Sequence, residues 1–246
     1  MVIALEVKNV SKSYGGVFAL QNASVKFNSG TVTAIVGDNG AGKSTLLKIL
    51  CGAVLPDAGE IQVKGEKFEF RNPYEARQAG IETVHQDLAL ANNLNVTENM
   101  FLGREKVFKI WPFSFLAKKA MEAKATEIIA SLSVNVPSMR KPVELLSGGQ
   151  RQAIAIARAT TWGNQVVLMD EPTAALGVTE TLRVEELIQK LRASELAIVI
   201  VSHNLSQVFR VSDNVVVMRQ GKVAALRKTS ETTGDELIGL ITGLKS

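Results

Sequence analysis

The period of hydrophobic and polar positions changes several times along this chain. Thr31–Val36 (TVTAIV) is a β-branched apolar run that stops at Gly37, and Ser44–Cys51 (STLLKILC) follows with helical spacing and ends at Gly52. This pattern predicts strand, glycine loop, helix. Val166–Asp170 (VVLMD) and Ala197–Ser202 (AIVIVS) are unbroken apolar runs that close on an acidic or polar residue, as strands covered on both faces of a parallel sheet do. Between them Val184, Leu187, Ile188 and Leu191 recur at helical spacing. Strand, helix and strand therefore repeat, and the fold class is α/β.

Two regions depart from that pattern. Leu5–Val10, Ala23–Phe27, Glu60–Val63 and Lys67–Phe70 are short alternating runs set apart by Gly, Asn, Asp and Ser, which predicts an antiparallel β subdomain on the edge of the main sheet. The alternation already begins in the stretch Met1 to Val10, with Glu6 inside it. From about Asp87 to Trp162 the spacing turns helical, with Met121, Ala125, Ile128 and Leu132 on one face and a further helix over Gln150–Arg158. We expect one domain over 1–246, its core formed by 1–86 and 163–246 and a helical lobe inserted over 87–162. Asn214–Val223 predicts a hairpin turning at Gln220-Gly221, and Glu236–Ile241 a short terminal helix. Ahead of the lobe's main helix run Phe108, Ile110, Trp111, Phe113 and Phe115, interleaved with Lys106 and Lys109. Large apolar residues usually form core, so most of these aromatics are expected inside the lobe, with one or two left exposed.

Composition narrows the class further. With 246 residues, 46% hydrophobic and 21% charged, the chain can bury a substantial core. It has no run near the roughly 20 apolar residues of a membrane-spanning helix, and its start does not resemble a secretory leader. Its one cysteine, Cys51, and its two histidines, His85 and His203, point to a reducing cytoplasm, with Cys51 a buried, inert thiol. A net charge of +4 suits nucleotide, nucleic acid or an anionic membrane surface equally.

Three runs carry chemistry. Gly37-Asp38-Asn39-Gly40-Ala41-Gly42-Lys43-Ser44, with Thr45 next, stands between strand and helix, the context a phosphate loop requires. Its glycines let successive N–H groups face phosphate oxygens, Lys43 can reach the β- and γ-phosphates, and Ser44 can ligate Mg²⁺. The strand Val166–Asp170 runs into Glu171, so Asp170 would hold the Mg²⁺ shell and Glu171 would orient or deprotonate water. Leu146-Ser147-Gly148-Gly149-Gln150 opens a helix. It can bind an anion there, although a serine N-cap with a glycine turn would look the same.

These runs, together with His203 after another strand, resemble the ATP-binding-cassette (ABC) ATPase family over almost the whole chain. The resemblance implies a phosphate-loop NTPase core with a mixed sheet, ATP and Mg²⁺ as cofactors, and two cassettes facing head to tail. Ser147, Gly148, Gly149 and Gln150 would then act on the ATP held by the other chain. It implies that Tyr14 stacks on adenine, that Gln86 senses Mg²⁺ and the attacking water, and that His203 contacts the γ-phosphate. Where the family often has an aspartate after Ser-Ala-Leu, this chain has Gly177 following Thr173-Ala174-Ala175-Leu176, so that carboxylate's contact across the dimer is missing.

The Ala-Ala-Leu form, His85-Gln86-Asp87-Leu88 and Asn99-Met100-Phe101-Leu102-Gly103-Arg104 are similar to the ATPase subunits of bacterial monosaccharide importers. That implies an ATPase on the cytoplasmic face of the inner membrane, paired as a homodimer with integral-membrane permease subunits and served by an external sugar-binding protein. The permease would dock between core and lobe near Gln86, with an exposed aromatic such as Trp111 taking part. An exporter or a non-sugar importer would share the same catalytic residues. A soluble cassette protein acting on the ribosome or nucleic acid usually carries paired cassettes, coiled-coil arms or basic extensions, which this sequence lacks, so no nucleic acid is expected.

Overall fold

The computed structural model describes residues 2–244. Met1, at the head of the alternating start, and residues 245–246, within the expected domain span, lie outside the described residues. The strands are β1 (Ile3–Tyr14), β2 (Val17–Asn28), β3 (Val32–Val36), β4 (Ala58–Val63), β5 (Glu66–Phe68), β6 (Ile81–Val84), β7 (Val107–Ile110), β8 (Phe113–Leu116), β9 (Val166–Asp170), β10 (Ala197–Val201), β11 (Asn214–Arg219) and β12 (Lys222–Lys228). The helices are α1 (Lys43–Leu50), α2 (Pro73–Gln78), α3 (Val96–Phe101), α4 (Lys118–Ser131), α5 (Gly148–Trp162), α6 (Val178–Arg192), α7 (Leu205–Val211) and α8 (Gly234–Thr242).

Six strands form the central sheet in the order β12-β11-β3-β10-β9-β6. From β11 to β6 every pairing is parallel, and β12 closes one edge antiparallel through the turn at Gln220 and Gly221. Both turn residues have positive φ, the geometry that matches the twist of a two-residue hairpin. The apolar runs divide by period two. Val166, Leu168, Val199 and Val201 pack toward α1, while Val167, Met169, Ile198 and Ile200 pack toward α5 and α6. Helices thus cover both faces, which is why these strands read as unbroken hydrophobic runs.

The antiparallel strands were expected on the edge of that sheet. They form a separate four-stranded sheet, ordered β2-β1-β4-β5. The edges of the central sheet are already taken by β12 and β6, and the β1–β2 ribbon shifts register at several points, as bulges that bend and twist a strand pair do. Its apolar face, with Leu5, Val7, Val10, Leu20 and Phe27, instead lies over α1. Cys51, at the end of α1, is buried, and burial raises its thiol pKa.

Helices α3, α4 and α5 share a further cluster built on Met100, Phe101, Met121, Ala125, Ile129 and Ile154. Helix α5 serves both layers, since its Ala155, Ile156 and Ala159 face the sheet while Ile154 and Ala157 face α3 and α4. The aromatic run does not join this cluster. Phe108, Ile110, Trp111, Phe113 and Phe115 form the hairpin β7–β8, and every residue of its strands is exposed. Pairing sets Phe108, Ile110, Phe113 and Phe115 on one face of the hairpin, and none of the four joins the cluster of α3, α4 and α5, so the face stays exposed because nothing in that cluster packs against it.

Candidate functional site

Register within the sheet assembles the site. Asp170 on β9 pairs with Val201 on β10, and Val201 pairs with Ile35 on β3. On the other side of β9, Val84 pairs with Met169. The segments leaving β3, β9, β10 and β6 therefore emerge side by side at the carboxyl ends of parallel strands, where α/β sheets bind their ligands. They bring together residues 39–45 of the loop, Asp170, Glu171 and Gln86 in one cleft of about 420 Å³, which Val17, Phe18 and Ala19 of β2 also line, while Gly37 and Asp38 stand behind it with their carbonyls on Lys43 Nζ.

The loop requires its glycines. Gly37 and Gly42 have φ of 152° and 102°. A Cβ on Gly37 would run into the Met218 carbonyl oxygen, and one on Gly42 would sit 2.6 Å from the Ala19 carbonyl oxygen. Gly42 caps α1, so the loop delivers the first N–H groups of that helix to the cleft. Lys43 is largely buried, and its Nζ donates to the carbonyls of Gly37 (2.7 Å) and Asp38 (2.9 Å). Burial lowers the pKa of this ammonium, and the nearby Glu171, Asp38 and Asp170 carboxylates oppose that shift. Asp170 moves the other way: burial and then Glu171 raise its carboxyl above the ordinary value.

Glu171 is held in an uncommon conformation. Its φ is 47°, in the left-handed region that costs a non-glycine residue of order 1 kcal/mol or more. Its N–H donates to Val201 O (2.9 Å), and its Oε2 lies 2.8 Å from His203 Nδ1. The turn places the carboxylate beside the loop.

The serine-glycine run lies elsewhere. Ser147 caps α5 in a reciprocal arrangement with Gln150: Gln150 N donates to Ser147 Oγ, and Ser147 N donates to Gln150 Oε1. A Cβ on Gly149 would meet Glu180 Cγ at 2.7 Å, so this glycine also permits α5 and α6 to approach. Ser147, Gly149 and Gln150 line a separate cavity of about 280 Å³ against α6, which shares no residue with the loop cleft. Gly177 caps α6 with its N–H donating to Glu180 Oε2. Tyr14 stands at the end of β1, paired with Val17 and half-exposed, beneath the Lys12 ammonium. It does not line the cleft, whereas Val17 and Phe18 do.

Residues 20–174 match the ABC transporter family. The chain belongs to that family. It is 45% identical to the fructose import ATP-binding protein FrcA of Rhizobium meliloti, over 98% of this chain and 94% of that one. It is 44% identical to the xylose/arabinose import ATP-binding protein XylG of Sulfolobus acidocaldarius, over 97% and 93%. The ribose import ATP-binding protein RbsA of Lactococcus lactis is 41% identical, and the chain covers 48% of it. Among solved structures, the ADP conformation of an ATP-binding cassette of an ABC transporter matches with TM-score 0.80 at 26% identity, covering 98% of this chain and 96% of that one. A dimeric post-hydrolysis cassette bound to ADP and Pi matches with TM-score 0.76 at 25% identity, covering 92% and 98%. As an ABC transporter ATPase, the chain binds and hydrolyses ATP.

A further set of residues ties together the segments that follow β9 and β10. Gln207, buried on α7, donates from Nε2 to Thr173 Oγ1 (2.7 Å) and accepts at Oε1 from Ser202 Oγ (2.8 Å). Thr173 follows Glu171 by two positions and Ser202 immediately precedes His203, so one side chain ties both segments. Asn204 caps α7 by accepting from Gln207 N, a local signal that the sequence carries and that no expectation for 204–211 used. The bond to Thr173 spans 34 positions, and no local pattern encodes it.

Proposed function

We propose that this chain hydrolyses ATP in the loop cleft to drive the import of a monosaccharide through a membrane permease. The observation that carries the reading is the convergence of loop residues 39–45, Asp170, Glu171 and Gln86 in one cleft, in a chain whose relatives are sugar import ATP-binding proteins. The loop N–H groups and Lys43 hold the phosphates, which requires Lys43 to leave the carbonyls of Gly37 and Asp38. Ser44 hydroxyl, Asp170 carboxylate and Gln86 amide oxygen are hard oxygen donors lining the same cleft, a set that fits Mg²⁺ alongside phosphate oxygens and water. These residues would hold Mg²⁺, which when bound would supply charge neutralisation for the transferred phosphoryl group. Glu171 accepts the proton of the attacking water, and His203, oriented by its contact with Glu171, presents Nε2 to the γ-phosphate.

Tyr14 reaches adenine from the β1–β2 turn, beside Val17 and Phe18. Ser147, Gly148, Gly149 and Gln150 complete the site on a second copy of the chain, in keeping with their separate cavity and with the dimeric cassette among the structural matches. The segment 87–162 acts as a lobe that moves with Gln86. A cavity of about 320 Å³ between core and lobe, lined by Arg77, Glu82, His85, Arg104, Arg158 and Trp162, is where a short permease helix docks on the cytoplasmic face of the membrane, with an external binding protein delivering the sugar. No helix of the described residues is long and apolar enough to cross a membrane, so translocation belongs to the permease.

Proteoliposomes containing this chain, its permease and its binding protein test the reading with labelled fructose, xylose, arabinose, ribose and galactose. ATP-dependent accumulation of at least one sugar is expected. ATP hydrolysis that proceeds with no uptake of any of them, and that no sugar stimulates, would overturn the transport assignment.

A further inference from the structure

The hairpin β7–β8 carries an exposed aromatic face. Pairing places Phe108 opposite Phe115 and Ile110 opposite Phe113, and these four share one face. Val107, Leu116, Lys109 and Ser114 share the other. The apolar face is 46% to 65% exposed at every position, and Trp111, in the turn, is 93% exposed. Phe108 and Phe115 stack with ring centroids 5.7 Å apart. Among the described residues no third strand pairs with β7 or β8. A two-stranded ribbon is at best marginally stable in water, and an aromatic face of this kind gains by leaving it.

Charge identifies what covers it. From Glu105 to Glu122 the sequence holds four lysines, Lys106, Lys109, Lys118 and Lys119, against the two acidic residues at its ends, and neither acid lies within the hairpin 107–116. Lys106 Nζ lies over the Phe101 ring, which leaves Lys109, Lys118 and Lys119. An exposed aromatic face with a tryptophan at its tip and these lysines close by in the chain matches the membrane–water interface of an anionic bilayer, where amphipathic rings sit at headgroup level and ammonium groups meet lipid phosphates. Every residue of β7 and β8 is exposed, as insertion into headgroups requires, and the groove beside the hairpin touches it only at Leu116, away from the aromatic face.

We infer that the hairpin 107–116 is a membrane-interface anchor: Phe108, Ile110, Trp111, Phe113 and Phe115 enter the headgroup region of an anionic bilayer while Lys109, Lys118 and Lys119 bind lipid phosphates. The anchor is independent of any permease. It holds the ATPase reversibly at the membrane, because one such element supplies only modest affinity.

Sedimentation of the full-length chain with vesicles tests this without a permease. Binding to vesicles containing phosphatidylglycerol should exceed binding to pure phosphatidylcholine by about tenfold, and should weaken as salt rises. The double substitution Trp111→Ser, Phe113→Ser should lower binding by about tenfold with unchanged basal ATPase and circular dichroism. Should that variant misfold, Lys109→Glu with Lys118→Glu serves as the second probe and should abolish the lipid preference. In wild type, brominated lipid should quench tryptophan emission, and Trp111→Phe should remove that quenching. Equal sedimentation of wild type and variants, or no preference for anionic lipid, would overturn the proposal. So would a chain that ignores vesicles yet copurifies through the hairpin with detergent-solubilised permease, since the contact would then be with protein.

Discussion

Glu171 Oε2 and His203 Nδ1 lie 2.8 Å apart, across the carboxyl ends of two adjacent parallel strands. Neither residue is in a strand, and Glu171 adopts a left-handed backbone that its type disfavours. The contact therefore depends on whatever fixes the segments after β9 and β10. Val201 O anchors one of them through Glu171 N, and Gln207 ties the two together.

Replacing Gln207 by Leu removes both side-chain bonds and leaves Thr173 and Ser202 without their buried partner. Stability should fall by about 1–3 kcal/mol. The turnover number should drop about ten- to a hundredfold, since small misplacements of reacting groups are costly, while ATP affinity stays close to wild type because the phosphate loop is untouched. Gln207→Glu, which can still pair with both hydroxyls, should restore part of the turnover. Steady-state kinetics combined with nucleotide-binding fluorescence would separate these effects, and an unchanged turnover number in Gln207→Leu would show that the tie does not position the pair.

Two glycines of the same loop should behave differently. At Gly42, alanine brings Cβ to 2.6 Å from the Ala19 carbonyl oxygen and 2.9 Å from Leu20 Cδ2 at a φ of 102°, so the loop must move and ATP binding should be lost. At Gly40 the added methyl meets nothing within 4 Å, and only the positive φ is penalised, by about 1 kcal/mol. ATP titrations of both variants should rank Gly42→Ala far below Gly40→Ala, and equal affinities would contradict the steric account.

Much of this was readable from the chain. The runs Thr31–Val36, Val166–Asp170 and Ala197–Ser202 announced their strands because both faces of the sheet are covered, and the loop at Gly37 stood out because few sequences let a backbone turn that tightly. The hairpin at Gln220-Gly221 was legible for the same local reason. What could not be read were long-range choices: that the β1–β2 ribbon would lie over α1 instead of extending the central sheet, that Gln207 would reach Thr173, and that Phe108 to Phe115 would stay in water. Burial in the last case depends on whether anything lies opposite the aromatic face, and periodicity does not report that. Of the two readings of the serine-glycine run, the structure shows the structural one: Ser147 caps α5, and Gly149 lets Glu180 approach.

Asp57 gives the account a pH signature. It accepts from Lys12 Nζ (2.6 Å), Ser13 N (2.7 Å) and Ser13 Oγ (3.0 Å), joining the segment after α1 to β1. The Lys12 bond, followed by those of Ser13, pulls its carboxyl from 3.8 down to about 2. A depressed folded-state pKa means that the stability from this cluster is fully present above about pH 4 and is lost as pH falls through about 2. Melting temperatures of wild type and Asp57→Asn should therefore differ near neutral pH and converge between about pH 4 and 2. A gap that stays constant across that range would mean the carboxylate's charge does not matter.

The separation of the loop cleft from the Ser147 cavity leads to a test of assembly. With ATP bound and hydrolysis blocked by Glu171→Gln, size exclusion should show a dimer. Adding Ser147→Arg should return the chain to a monomer by placing a bulky side chain where the second copy's γ-phosphate would lie. A dimer that survives Ser147→Arg would place the serine outside the shared site.

Most direct is the ATPase rate of Glu171→Gln itself. With the water's proton going to this carboxylate, the amide should keep ATP affinity near wild type and slow phosphate release by at least about a hundredfold, the scale of losing a positioned general base. Phosphate release at the wild-type rate would contradict the assignment of Glu171 and, with it, the mechanism built on its contact with His203.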